Sequence, residues 1–165
     1  GVNIEPDPQL IAGFTEKRPR DVNLNIGIGD STGILEFFVM NVRTLNTFSS
    51  TEARQLEASG KFRIEQVLPI PVRSVNDVLA EHFGRSAPDF ISLDVEGLDL
   101  QILRSLDFAR WRPKVLCVET ITYSDRGAGE KIPEIAALLQ EQGYFPFADT
   151  YVNTIFVDRS VWQRA

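Results

Sequence analysis

The stretch Asp89-Phe90-Ile91-Ser92-Leu93-Asp94-Val95-Glu96-Gly97 indicates the fold class of this chain. Its apolar residues predict a buried strand that stops at two carboxylates and a glycine, after which a helical pattern begins. In an open α/β sheet, ligands bind beyond the carboxyl ends of the strands, which is where Asp94 and Glu96 are expected. An alternative interpretation is that these acids only stabilise the positive end of a helix. For Glu96 both interpretations stay open.

Composition limits the class of protein and the kinds of partner. The chain has 165 residues, 43% hydrophobic and 24% charged, which fits one globular domain with an ordinary core. A net charge of -6 without a basic stripe argues against nucleic acid as the main partner. A single cysteine excludes an internal disulfide and a multi-cysteine metal site. No apolar run approaches the length of a membrane span, so a cytoplasmic location is expected.

Strand and helix patterns alternate along the chain. The segment Val22 to Ile28 alternates apolar and polar residues, and Ile34 to Met40 forms a second strand that we expect to pair with it or lie near it. Ser49 and Glu52 have the spacing of a capping box, which predicts a helix that ends at Gly60. The extended segment that contains Pro69 and Pro71 is predicted to be an edge strand or an irregular strand, because proline cannot donate to a ladder. Further helices are predicted around residues 9–16, 75–83, 98–106 and 132–142.

The end of the chain distinguishes between α/β folds. Tyr144 to Phe147 and Asn153 to Val157 are two predicted strands separated by about five residues. A parallel crossover needs about a dozen residues or more, so this pair is predicted to be an antiparallel hairpin. A mostly parallel sheet that finishes in such a hairpin resembles the S-adenosylmethionine-dependent methyltransferase fold.

An ordered set of motifs extends this resemblance to one family. The chain resembles the FkbM-type methyltransferases in the motifs Asn3-Ile4-Glu5-Pro6-Asp7-Pro8, Asn25-Ile26-Gly27-Ile28-Gly29-Asp30 with Gly33 and Phe37, Phe90 to Gly97, Val118-Glu119 and Gly143-Tyr144. Each motif is weak singly, whereas the ordered set with its Asp-Val-Glu-Gly turn is fairly specific. The resemblance implies a Rossmann-like class I methyltransferase fold over residues 1–165, with S-adenosyl-L-methionine as cofactor.

One departure from the family pattern concerns the first strand. The family's glycine-rich turn, which cradles the methionine part of the cofactor, has no match here, and the chain begins at what resembles the second strand. The sequence opens at Gly1, and its only methionine is Met40. We therefore expect an N-terminally truncated domain that lacks its first strand and helix, and a 165-residue chain that is inactive alone.

The acids near the first strands are candidates for cofactor binding. Glu5 ends a strand before a proline turn, where a carboxylate can accept both hydroxyl hydrogens of a ribose. Pro6 shapes the exit of that turn. The resemblance implies that Asp30 contacts the adenine amino group, with the backbone N–H of neighbouring Ser31 at a ring nitrogen. Alternatively, Glu5 is a surface acid and Asp30 belongs to an ordinary turn.

Asp94 and Glu96 are the candidate catalytic residues. Methyl transfer to oxygen needs an aligned acceptor and a base that removes its proton. We assign Asp94 to positioning of the cofactor or the acceptor, and Glu96 to the base. Two carboxylates without a third clear ligand do not indicate a metal site, so no metal is assigned.

Further residues beyond the strand ends are candidates for acceptor binding. Glu119 ends the next strand and is expected at the same edge, and Tyr123 follows it in a loop that is either a lid or a plain solvent loop. The segment Asn41 to Ser50 is a candidate for acceptor contact on position alone. His82, the only histidine, falls near a helix end and is interpreted as structural.

Three functions remain open from the sequence. The leading hypothesis is O-methylation of a hydroxyl group on a small molecule or a glycan, by a monomer or an oligomer. The second is a non-catalytic scaffold or interaction domain of the same fold, which the missing glycine-rich turn keeps open. The third is an NAD-dependent oxidoreductase, which shares an acid at the position of Glu5 but not the hairpin ending.

Overall fold

The computed structural model describes residues 1–95, 97–122 and 129–162 of a mixed α/β protein. The nine strands of the described ranges are β1 Val2–Ile4, β2 Val22–Leu24, β3 Gly27–Gly29, β4 Gly33–Met40, β5 Ile64–Ser74, β6 Phe90–Leu93, β7 Val115–Glu119, β8 Tyr144–Asp149 and β9 Asn153–Asp158. The five α-helices of these ranges are α1 Pro8–Lys17, α2 Ser50–Ala58, α3 Val75–Phe83, α4 Asp99–Ser105 and α5 Pro133–Glu141. A 3-10 helix covers Arg43–Leu45.

The chain divides into two compact units, Gly1–Ser74 and Val75–Ala165. The first unit contains the parallel pair β1-β2 and a three-stranded sheet in the order β3-β5-β4. The second contains one four-stranded sheet in the order β6-β7-β9-β8. The expectation that both units belong to one methyltransferase-like domain stays a prediction.

Strand β4 carries the core of the first unit. Its last four residues are buried, and alternate side chains point to opposite faces of the sheet. Phe38 and Met40 pack with Ala53 and Leu56 of α2. On the other face, Phe37, Val39 and Ile70 form a second cluster, packed against Phe48 and Leu68. Both faces of the second half of this strand are therefore covered.

Helix α2 starts where the capping box predicted. The Ser49 side chain accepts the Glu52 N–H at 3.2 Å, and the helix ends at Ala58 just before Gly60, whose φ is 73°. A positive φ favours glycine because it has no Cβ. The predicted start and stop of this helix are confirmed.

One prediction about the first unit is wrong, and two others are met in part. The segment Val22 to Ile28 is two strands in different sheets, because Asn25 leaves the ladder and donates its side-chain amide to the carbonyl oxygens of Glu5 and Pro6 at 2.9 and 2.8 Å. Strands β3 and β4 do not pair with each other, but they lie near each other in one sheet, with β5 between them. Strand β5 is central in the strand order, but of the described strands only β4 pairs with it at Pro69 and Pro71, and its register with β4 shifts opposite Val39 and Met40.

The two prolines of β5 are compatible with this central place. Pro69 lies opposite Glu36 and Pro71 opposite Ile34 in the antiparallel ladder with β4, whereas β3 pairs only with residues 72–74. Residues two apart direct their backbone nitrogens to the same side of a strand. The proline nitrogens therefore face away from β4, on the side where the described strands leave residues 64–71 of β5 unpaired.

The second unit confirms the predicted C-terminal hairpin. Strands β8 and β9 pair antiparallel, and β9 also pairs antiparallel with β7, whereas β6 and β7 are parallel. The core includes Leu116, Ile135, Leu139 and Phe156, all fully buried. Helix α4 contacts both α3 and α5, and α5 packs on β8.

An ion pair closes the hairpin against the segment before β7. Arg112 donates Nε to Asp158 Oδ2 at 2.7 Å and Nη2 to Oδ1 at 3.0 Å, while the Asp158 side chain is only 3% exposed. The Tyr144 hydroxyl donates to the Pro113 carbonyl oxygen at 2.7 Å, and the Arg112 guanidinium lies 5.2 Å from the Tyr144 ring centroid. Burial raises the pKa of Tyr144 to about 12.

Candidate functional site

Glu5 is held at the carboxyl end of β1. Its backbone N–H donates to the Leu24 carbonyl oxygen at 3.1 Å, and its side-chain Oε1 accepts the Asp7 N–H at 2.8 Å. Burial raises the pKa of the Glu5 carboxyl; the Asp7 N–H lowers it and the charge of the Asp7 carboxylate raises it. A carboxylate offers about four acceptor positions, so one such bond orients Glu5 and leaves capacity for a ligand.

Asp7 is a buried acid that the sequence analysis gave no role. It caps α1, because its Oδ1 accepts the Gln9 N–H at 2.8 Å. Its Oδ2 accepts Arg43 Nη1 and Asn46 Nδ2, both at 2.9 Å, and its side chain is 1% exposed. An aspartate directly before Pro8 signals a helix N-cap. No sequence signal indicates the partners 36 and 39 residues away.

Asp30 and Ser31 lie where the sequence placed them, directly after β3. Both are exposed, and the Ser31 hydroxyl donates to Asp30 Oδ1 at 3.1 Å. Pro6 is half-buried, and its carbonyl oxygen accepts the Asn25 side-chain amide. Asn25 thus fixes the turn that follows Glu5.

In the second unit, Asp94 and Glu119 lie at the same edge of the sheet. Strands β6 and β7 are parallel with Leu93 opposite Val118, so the two acids occupy the next position of neighbouring strands. Asp94 is exposed and Glu119 is half-buried. The structure therefore brings together two of the predicted site residues. Two others, Glu96 and Tyr123, lie outside the described residues.

Asp99 is the least expected acid of this edge. It begins α4 and is 3% exposed. Burial is the main cause that raises its pKa to about 6; backbone N–H groups of Asp99, Val95 and Gly97 lower it, and the charge of Asp94 raises it. Its Oδ1 has no hydrogen-bond partner in the described part of the chain. The sequence suggested only a helix start here, because a carboxylate in a first turn is ordinary at the surface.

A polar cluster around Lys131 lies at the same edge, where β7 ends and β9 begins. Lys131 Nζ donates to Asp149 Oδ1 at 2.7 Å and to Thr120 Oγ1 at 3.1 Å. The hydroxyls of Thr120 and Thr154 are 2.8 Å apart and buried. Tyr151, at a φ of 76°, donates its N–H to Asp149 Oδ1 at 2.7 Å. This cluster fixes the ends of β7 and β9 beside Glu119.

The described residues contain neither a cluster of metal ligands nor a membrane-spanning helix. No group of three or more His, Cys, Asp or Glu side chains among residues 1–95, 97–122 and 129–162 could hold a metal ion. Within the same ranges, no helix combines the length and the apolar character that crossing a membrane requires.

Comparison with known proteins supplies the family. A model of the methyltransferase FkbM domain matches residues 1–146, which include all the candidate site residues described above except Asp149, Tyr151 and Thr154 of the Lys131 cluster. No curated protein and no solved structure gave a match. With most of its length matched, from β1 into β8, this chain belongs to the FkbM methyltransferase family.

Proposed function

We propose that the protein is an S-adenosyl-L-methionine-dependent methyltransferase that methylates a hydroxyl oxygen of a small molecule or a glycan. The observation that carries this proposal is the family match over residues 1–146. Methyl transfer is the chemistry that the family name states. The cofactor, the oxygen acceptor and the residue roles are the parts that we add.

The first unit offers residues for the cofactor. Glu5 would accept the ribose hydroxyls, which suits a half-buried carboxylate that one N–H orients at 2.8 Å. Asp30 and Ser31 would contact the adenine, and Pro6 would shape the ribose turn. When bound, S-adenosylmethionine supplies a methyl group on a sulfonium that carries its own leaving group.

The second unit offers residues for the acceptor. A hydroxyl is a poor nucleophile until a base takes its proton, and Glu96 is our candidate for that base. Asp94 would align the acceptor or the cofactor, because an exposed carboxylate at a strand end can accept a hydroxyl hydrogen. Glu119 and Tyr123 would add acceptor contacts.

The strand pairs support a Rossmann-like fold as part of the proposal. The pairs β1-β2, β3-β5 and β6-β7 are parallel, and the last two strands form an antiparallel hairpin. Within each pair, acids that follow the strands are suited to ligand binding, because the carboxyl ends of two paired parallel strands lie at the same edge. A cytoplasmic location and a partner other than nucleic acid complete the proposal.

A calorimetric titration of S-adenosylhomocysteine into the full-length protein tests the cofactor. We expect a dissociation constant in the micromolar range, on the order of -8 kcal/mol in binding free energy. A parallel titration with NAD should give no heat of binding. A folded protein that binds neither compound would refute the proposal in favour of a non-catalytic domain, and binding of NAD alone would favour an oxidoreductase.

A further inference from the structure

A chain of hydrogen bonds links Glu5 to the 3-10 helix of the first unit. Asp7 donates its N–H to Glu5 Oε1 at 2.8 Å, and its carboxylate accepts Arg43 Nη1 at 2.9 Å. Arg43 also donates Nη2 to Gln9 Oε1 at 2.9 Å, so its guanidinium spans the first turn of α1. Two residues separated by 38 positions are thus connected through one buried acid.

The charges of the residues in this series of hydrogen bonds give Arg43 an electrostatic role. Asp7 and Glu5 carry like charges two residues apart, and the Asp7 charge disfavours an ionised Glu5. Arg43 pairs with the Asp7 carboxylate, whose side chain is 1% exposed, and offsets its negative charge. Without Arg43, the buried Asp7 carboxylate would lose this cationic partner. Asp7 would still be part of the turn that holds Glu5.

The remaining contacts of Asp7 show what Arg43 constrains. Asn46 Nδ2 donates to Asp7 Oδ2 at 2.9 Å, and Asn46 Oδ1 accepts the Met40 N–H at 2.8 Å. The Asp7 carboxylate is therefore fixed on one side by Asn46, which is itself held by Met40 of the core strand β4. Arg43 contacts the other side of the carboxylate, and its side chain is 35% exposed. It is therefore the partner that can be substituted without disturbing the core.

We propose that Arg43 is a positioning residue for cofactor binding, which acts on the Glu5 carboxylate through Asp7. The inference rests on the proposed function, in which Glu5 accepts the ribose hydroxyls. Arg43 itself touches neither the ribose nor the transferred methyl group in this proposal. It holds Asp7, whose backbone N–H orients the acid that does.

A double-mutant cycle on the full-length protein tests this inference. The variants are Arg43→Gln, Glu5→Gln and the double variant, each titrated with S-adenosylhomocysteine by calorimetry. We expect Arg43→Gln to weaken binding about threefold to tenfold in the wild-type background and less than about twofold beside Glu5→Gln. Arg63→Gln is the matched control, because Arg63 pairs with Glu65 at 3.3 Å and its side chain is 73% exposed. This variant should leave the affinity unchanged.

The milder variant Arg43→Lys keeps the experiment decisive if Arg43→Gln does not fold. Lysine keeps the charge but cannot donate to Asp7 and Gln9 at once from a planar group. We therefore expect Arg43→Lys to weaken binding less than Arg43→Gln does. This loss should also disappear in the Glu5→Gln background. Thermal unfolding should confirm that each variant folds.

The failures of the two proposals are distinguishable. If the wild type binds S-adenosylhomocysteine and Glu5→Gln weakens binding, but Arg43 variants do not, the inference is refuted and the proposed function stands. If an Arg43 variant weakens binding equally in both backgrounds, Arg43 acts independently of Glu5 and the inference is again refuted. If the folded wild type does not bind at all, both proposals fail.

Discussion

The exposed carboxylate of Asp94 raises the pKa of the buried Asp99, five residues further along the chain. Burial is the larger cause, and backbone N–H groups of the turn between the two acids oppose it. Two carboxyl groups at one strand end are thereby given different environments, one exposed to water and one almost fully enclosed.

Asp99→Asn is predicted to stabilise the protein at neutral pH. The pKa of Asp99 is raised from 3.8 to about 6, so the folded state prefers the protonated form and wild-type stability falls as the pH rises through this interval. A shift of about two units corresponds to at most about 3 kcal/mol. Asparagine is neutral and of similar shape, so urea unfolding should show a gain near pH 7.5 that disappears near about pH 4.

Asp89→Asn serves as the control for this measurement. Asp89 lies directly before β6, and its side chain is 80% exposed in an ion pair with Lys114. A surface pair contributes little, so this variant should change the free energy of unfolding by less than about 1 kcal/mol at either pH. A pH-independent effect of Asp99→Asn would contradict the assignment of a buried, titrating carboxyl group.

Asp94→Asn is predicted to lower the pKa of Asp99. The substitution removes the negative charge that disfavours ionised Asp99, while burial and the backbone N–H groups stay. A carbon-detected NMR titration of the Asp99 carboxyl group measures this shift without any activity assay. An unchanged titration would mean that the two acids do not interact.

Glu5 variants should separate cofactor contact from local structure. Glu5→Ala removes both the proposed ribose acceptor and the acceptor of the Asp7 N–H, whereas Glu5→Gln keeps one acceptor oxygen for that N–H. We expect the alanine variant to lose about tenfold or more in affinity for S-adenosylhomocysteine. Its stability should fall by only about 1 kcal/mol, the net value of one hydrogen bond. Unchanged affinity in both variants would remove Glu5 from the ribose.

Arg112→Gln is predicted to destabilise the second unit by about 2 kcal/mol, because it leaves the buried Asp158 carboxylate without its ion-pair partner. Burial would raise the pKa of Asp158, but hydrogen bonds from Arg112 and Ser160 outweigh it and the net shift is downward. The contribution of the pair is therefore present above the ordinary pKa and is lost as the pH falls. Urea unfolding at pH 7 and near pH 3 should show the difference shrink at acid pH. Arg159→Gln, which removes an exposed cation near Phe145, is the control and should have a small effect at both values.

The features that the sequence predicted correctly depend on local interactions. The Ser49–Glu52 cap joins two residues only three positions apart, and the β8-β9 hairpin follows from the short connection between its strands. The strand that ends before Asp94 was visible because its apolar run stops abruptly. Family motifs then identified the class of reaction without any knowledge of the packing.

The features that the sequence did not predict depend on distant partners. Asn25 ends β2 because the carbonyl oxygens of Glu5 and Pro6 accept its amide from 20 and 19 residues away. The roles of Asp7 and Asp99 arise from burial, which the pattern of a single helix start does not reveal. Nothing in the sequence distinguishes Arg43 from other basic residues, because its role depends on hydrogen bonds to the distant residues Asp7 and Gln9.

The prolines of β5 also affect how copies of this protein associate. Between residues 64 and 71, the flank of β5 that faces away from β4 offers no N–H at Pro69 or Pro71 to a strand from another molecule. Open strand flanks are templates for intermolecular sheet growth, and proline is one of the residues that interrupts it. The two prolines on this flank thus oppose the addition of a strand from another molecule, and with it aggregation through β5.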